Sequence, residues 1–133
     1  MIQVTYNFTG QEEYIEYRQK IKQWINETLN GDVMLEIAIN EAVQNAIEHG
    51  DSNKPIEVNM TYRNNKAIVR VKGSGYGFCT INELERARRV WDEEDKRKVS
   101  GRGIRMMLDA CDRVTYNSTG TEVMLVRKRK PAN

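Results

Sequence analysis

Apolar and polar residues alternate from Ile2 to Phe8, with Ile2, Val4, Tyr6 and Phe8 on one side and Gln3, Thr5 and Asn7 on the other. That is the period of a half-buried strand. The period then changes: Tyr14, Ile15, Tyr17, Ile21, Trp24, Ile25 and Leu29 recur at helical spacing until Asn30-Gly31 stops them. Thr9, with Glu12 three residues on, forms a capping box at the start of this helix. A second helix is predicted from an Asp32 cap through His49, closed by Gly50 as a left-handed residue. Alternation returns at Ile56, Val58, Met60 and Tyr62 and again at Ala67, Val69 and Val71, with Asn64-Asn65 between them, which predicts a hairpin. A glycine-rich loop follows at Gly73, Gly75 and Gly77, and Thr80 with Glu83 predicts a short helix through about Trp91. Gly101 and Gly103 lead into a helix containing Ile104, Met107, Leu108 and Cys111, and residues 113–117 and 121–128 read as strands around Ser118-Thr119-Gly120.

Hairpin strands set around separate helices imply an α/β sandwich: a mixed, mostly antiparallel sheet with helices packed on one face. A length of 133 residues accommodates one domain, taken as residues 1–133. With 39% apolar and 30% charged residues the chain can bury a core and stay in solution. The net charge of +2 is too small to argue for nucleic acid or an anionic membrane, and no stretch has the length of a membrane span. The start, Met1-Ile2-Gln3-Val4, lacks the regions of a signal peptide, so the cytoplasm is the expected compartment. There Cys79 and Cys111 read as small buried hydrophobes and not as a disulfide. The run Arg127-Lys128-Arg129-Lys130 reads as a solvated end or as an electrostatic contact with a partner. Residues 92–100 are almost wholly charged, and a lid over residues 78–100 is expected, against the alternative of a solvated linker.

The candidate chemistry sits on the second helix. Glu41 and Asn45 are four apart and so share one face, in a row with Met34, Ile37 and Ala38 that otherwise looks inward. Unpaired polar groups there would cost roughly 1 to 3 kcal/mol each, so they bond either neighbouring backbone or a ligand. Glycine brings backbone N–H groups close to phosphates, and Gly101-Arg102-Gly103 at a helix start would favour an anion. An ordinary turn is the alternative for either loop. His49, in a last helical turn, is read as a partner of the helix dipole, and Trp24 and Trp91 as core or interface residues.

Taken in order, these elements resemble the Bergerat-fold, histidine-kinase-like ATPases, and within them the small anti-sigma factors with serine-kinase activity. Residues 40–49, Asn-Glu-Ala-Val-Gln-Asn-Ala-Ile-Glu-His, look like the family's N box. Residues 73–78 look like its first glycine box and residues 100–107 like its second. The resemblance spans nearly the whole chain. It implies ATP and Mg²⁺ as ligands, with Asn45 holding Mg²⁺ through its amide oxygen and Glu41 as general base toward an incoming serine hydroxyl. Gly73, Gly75 and Gly77 would border the nucleotide, Gly101, Arg102 and Gly103 would hold phosphate oxygens, and Thr121 would help fix adenine. It further implies a homodimer that sequesters a sigma factor or related regulator and phosphorylates a serine of a STAS-type antagonist, with neither nucleic acid nor membrane as a direct partner.

One residue departs from the pattern. The family's first glycine box opens with an aspartate that accepts from the adenine amino group, and Gly73 stands in its place. Losing a hydrogen bond to a charged acceptor costs roughly 1.5 to 3 kcal/mol, a factor of ten to more than a hundred in affinity. This leaves a second expectation from a different class: a nucleotide-independent module that keeps the fold and uses it to hold a partner.

Overall fold

The computed structural model describes residues 2–51, 53–74 and 99–130, with residues 99–103 described by their backbone alone. Among the described residues, five strands form one sheet: β1 (Ile2–Phe8), β2 (Ile56–Arg63), β3 (Lys66–Lys72), β4 (Arg113–Tyr116) and β5 (Glu122–Lys128). Their spatial order is β1-β2-β3-β5-β4, and every described pairing is antiparallel. Among the described residues, three helices pack with it: α1 (Gly10–Leu29), α2 (Val33–His49) and α3 (Val99–Ala110). The α/β sandwich expected from the sequence is the architecture that forms.

Register explains which face is covered. Val58 pairs with Val71, Val71 with Val123, Val69 with Leu125 and Leu125 with Val114, so the apolar half of each strand's alternation falls on one side of the sheet. These residues are buried together with Leu35, Ile39 and Val43 of α2 and Met107 of α3. Helix α2 touches β2, β3 and β5 and packs on both other helices, which makes it the centre of the helical layer. The opposite face carries Glu57, Asn59, Arg70, Lys72 and Glu122. Among the described residues, no helix is long and apolar enough to cross a membrane.

Turn chemistry fixes the connections. Asn64 and Asn65 both adopt positive φ, 53° and 62°, as a tight two-residue hairpin requires. Asn30 and Gly31 do the same at 56° and 75° and end α1, with the Gly31 amide bonded to the Ile25 carbonyl. Asp32 caps α2 by accepting from the Met34 amide at 3.0 Å.

Several expectations are corrected. Thr9 makes no side-chain cap; its amide donates instead to Glu13, four residues on, at 3.2 Å. Gly50 is extended, with φ −97° and ψ −177°, and not left-handed. Ile15 and Met34 lie 56% and 39% exposed, outside the buried stripes of their helices. Helix α3 begins at Val99, so Gly101 and Gly103 lie inside its first turns and not in a loop before it. Thr121 precedes β5, which starts at Glu122.

Arg127 is the largest departure. It occupies the helix-facing side of β5 in the same row as Val123 and Leu125, and is 9% exposed. Its Nε donates to Asp32 Oδ2 at 2.8 Å and a terminal nitrogen to the Ala110 carbonyl at 2.6 Å. Only the rest of that basic run, Lys128 to Lys130, is exposed. The short helix expected through Trp91, Cys79 and nearly all of the expected lid over 78–100 lie outside the described residues; residues 99 and 100 already belong to α3.

Candidate functional site

The last two turns of α2 and the ends of β3, β4 and β5 border a small open hollow, with free space for about one water molecule. Ala42, Ala46, Val71 and Val123 supply apolar walls, while Asn45, His49, Ser74, Tyr116 and Thr121 supply the polar side chains. Two glycines bring helix and sheet this close. A Cβ on Gly50 would stand 2.5 Å from the Ala46 carbonyl oxygen and 2.9 Å from that of Ser74, while a Cβ on Gly73 would meet the Ala46 Cβ at 3.2 Å. The Gly73 amide donates to the Thr121 carbonyl at 2.8 Å and extends the β3–β5 ladder by one bond. The two residues are therefore held at fixed distance on the sheet side.

Asn45 faces this hollow and is 8% exposed. Its Nδ2 has no hydrogen-bond partner among the described residues, a condition that native interiors avoid unless a ligand, water or ion supplies the bond. Thr121 is held by Asn117, whose Nδ2 donates to Thr121 Oγ1 at 3.0 Å while its Oδ1 accepts from the amides of Thr121 and Glu122 at 2.9 and 3.1 Å. Thr119 Oγ1 lies 2.9 Å from the same hydroxyl. The turn before β5 is thus built on one asparagine side chain.

Glu41 stands elsewhere. It lines a groove with Arg18, Glu36, Ile37, Asn40 and Met106, between α1, α2 and α3, whereas Asn45 lines the hollow. Four residues advance a helix by about 400°, so partners at this spacing are offset by about 40° and by about 6 Å along the axis. The offset is enough to give the two side chains different surroundings. Next to Glu41, Asn40 accepts from the Tyr14 hydroxyl at 3.0 Å. Burial pushes the Tyr14 phenol up to about 12, opposed by Arg18 and reinforced by Glu36 and Glu41.

The structure therefore gathers Asn45, Gly73 and Thr121 around one hollow and puts Glu41 in the groove. Gly75 and Gly77 lie outside the described residues, and Gly101, Arg102 and Gly103 are placed as backbone in the first turns of α3. Tyr116 and Asn117 entered the sequence reading only as strand residues, Ser74 only within the first glycine box, and His49 only as the end of the N box and a dipole partner. The alternation of Val114 and Tyr116 and the Asn-Ser-Thr-Gly turn signal were the available clues.

The hollow combines apolar walls with polar groups at its edge, the composition common to small-molecule sites. Among the described residues, no three His, Cys, Asp or Glu side chains gather to hold a metal ion. A Mg²⁺ ion at this site would take Asn45 as a protein ligand and draw its other oxygens from phosphate and water, as this cation commonly does.

No curated protein matches this chain. A family model described as the histidine kinase-like ATPase domain matches residues 11–127, a span from the first turn of α1 almost to the end of β5 that includes the whole hollow. On that match, together with the antiparallel sheet and its single helical layer, the chain belongs to the histidine kinase-like ATPase domain family.

Proposed function

We propose that this protein is a regulatory serine-protein kinase of the anti-sigma type, which binds Mg-ATP in the hollow beside α2 and phosphorylates a serine of a STAS-type antagonist. The observation that carries the reading is the convergence of Asn45, Gly73 and Thr121, far apart in sequence, on one hollow. Asn45 would hold Mg²⁺, which neutralises charge on the phosphates. The free amides at the start of α3 would face phosphate oxygens. Glu41 would take the proton of the incoming serine hydroxyl as that oxygen attacks the γ-phosphorus; the bond to the β–γ bridging oxygen breaks and ADP leaves. In the same reading a cytoplasmic homodimer sequesters a sigma factor or related regulator. Incubation with Mg²⁺, labelled ATP and a cognate STAS-type protein is expected to give phosphoserine that Glu41→Ala abolishes. Absence of transfer to every cognate antagonist would remove the enzyme reading.

A second reading is favoured by one observation. The hollow's described lining contains no carboxylate, and the position where the family carries one is a glycine pressed against Ala46. A module that keeps the fold and holds its partner without nucleotide would need no such group. Calorimetric titration with Mg-ADP separates the two: micromolar binding supports the kinase, and binding that is millimolar or absent supports the module.

A further inference from the structure

We propose that β1 is the surface through which two copies of this chain pair, antiparallel about a two-fold axis at Thr5, to make one continuous sheet of two five-stranded halves. The inference does not use the nucleotide site; it gives the homodimer named above a surface. Among the described residues β1 pairs with β2 alone and forms one edge of the sheet. Sheet edges are ordinarily blunted by shortness, proline, a bulge or charge, because an open row of backbone N–H and C=O groups is a template for another strand. The opposite edge follows that rule: β4 has four residues and begins with Arg113. β1 carries none of these devices. It runs for seven residues, Ile-Gln-Val-Thr-Tyr-Asn-Phe, without proline or charge, and its register with β2 is unbroken from Ile2 opposite Tyr62 to Phe8 opposite Ile56. Ile2, Val4, Thr5, Tyr6 and Phe8 are β-branched or aromatic, the types that strands favour.

The strand is complementary to itself, which identifies the partner as a second copy. Antiparallel pairing centred on Thr5 sets Ile2 opposite Phe8, Val4 opposite Tyr6 and Gln3 opposite Asn7 of the second copy, with Thr5 facing Thr5. Apolar then meets apolar on the helix-facing side and uncharged polar meets uncharged polar on the open side, as an isologous contact requires. No like charges are brought together. Centring on Val4 or Tyr6 keeps the faces but leaves two residues of each strand unpaired. Exposure along β1 agrees with this. Helix α1 covers its C-terminal half, with the Tyr17 ring 5.2 Å from Tyr6 and 5.5 Å from Phe8, and leaves Ile2 47% exposed. The two-fold axis sets that uncovered isoleucine beside Phe8 of the second copy, at the covered end. On the open side Thr5 Oγ1 accepts from Asn59 Nδ2 at 2.8 Å, which leaves its own proton for the second Thr5.

The test is sedimentation equilibrium of the full chain, joined to cysteine cross-linking in a Cys79→Ser/Cys111→Ala background. A dimer is expected across the micromolar range. Thr5→Cys should then close an intersubunit disulfide on oxidation, because opposed residues stand about 5 Å apart at Cα. Gln3→Cys alone should stay unlinked, since Gln3 of the second copy lies four residues along the strand, about 13 Å away, whereas Gln3→Cys equilibrated with Asn7→Cys should link. A monomer throughout overturns this surface and the homodimer together and leaves the nucleotide reading standing. A dimer in which Thr5→Cys stays unlinked, or links no better than Gln3→Cys, overturns the surface alone. As a second arm with the native cysteines in place, Thr5→Lys sets two cations face to face and should raise the dimer dissociation constant about two- to fivefold, and mixing it with Thr5→Glu should restore pairing. An unchanged constant in Thr5→Lys overturns the proposal.

Discussion

Gly50 matters because it lacks a side chain at an ordinary backbone conformation. With the Ala46 carbonyl 2.5 Å and the Ser74 carbonyl 2.9 Å from where a Cβ would sit, Gly50→Ala has to push two backbone segments apart. It should lower the unfolding free energy by about 1 to 3 kcal/mol, measured in urea, the range for overpacking a close contact. Gly73→Ala, at 3.2 Å from a methyl group, should cost less. Asn45 is the opposite case: its Nδ2 bonds nothing among the described residues, so Asn45→Ala should change stability by no more than about 1 kcal/mol while weakening Mg-ADP binding. A large stability loss with unaltered binding would assign that amide to the core. Tyr14 supplies a pH dependence. Its phenol titrates near 10 when unfolded and is pushed up to about 12 by burial in the folded chain, so above pH 10 the unfolded state loses its proton first. Stability should fall as pH rises from about 10 to about 12, and Tyr14→Phe should flatten that part of the alkaline unfolding profile.

At the scale of elements, Arg127 joins three of them. It pairs with Asp32 at the N-terminus of α2, bonds the last carbonyl of α3 at Ala110 and stands on β5. Asp32 meanwhile caps α2. The helix bearing Asn45 and the helix bearing Gly101 and Gly103 are thereby fixed to the same strand. Arg127→Ala strands a nearly buried carboxylate and leaves a helix-terminal carbonyl unpaired, and should destabilise the fold by roughly 3 to 5 kcal/mol. Because the loss comes mostly from the orphaned charge, adding Asp32→Asn, which preserves the cap, should recover part of it. Equilibrium unfolding of the two single variants and the double variant measures the coupling, and strictly additive losses would contradict the ion-pair account.

For the molecule as a whole, the kinase and the nucleotide-independent module predict different thermodynamics from one set of contacts. A ligand that binds only the native state stabilises it by about 2.7 kcal/mol at a hundred times its dissociation constant. Mg-ADP at that level should therefore raise the thermal midpoint by several degrees, read by calorimetry or near-ultraviolet circular dichroism. An unchanged midpoint at millimolar Mg-ADP is the outcome that the module predicts. The antiparallel sheet bears on this choice because it holds Gly73 and Thr121 together through the Gly73 amide whether or not nucleotide is present. The hollow's sheet-side wall is built by folding and not by the ligand.

Among the described residues, element types and most boundaries could be read from the sequence, because they depend on neighbours within a few residues. A period of two or 3.6 assigned the strands and helices, Asn64-Asn65 marked a hairpin and Asn30-Gly31 a helix end, and the Glu-x-x-x-Asn spacing marked α2 as the helix to watch. Tertiary structure decided what depends on register between distant segments. It turned Arg127 from a member of a charged tail into a buried tie, because β5 keeps its alternation to that residue and α2 starts with an aspartate opposite it. It brought Tyr116 and His49 to the wall of the hollow and gave Glu41 a different groove from Asn45. It required glycine at position 50 for closeness and not for backbone sign. Local sequence sets which face of an element is apolar; only the packed sheet and helices set what each polar residue on that face will meet.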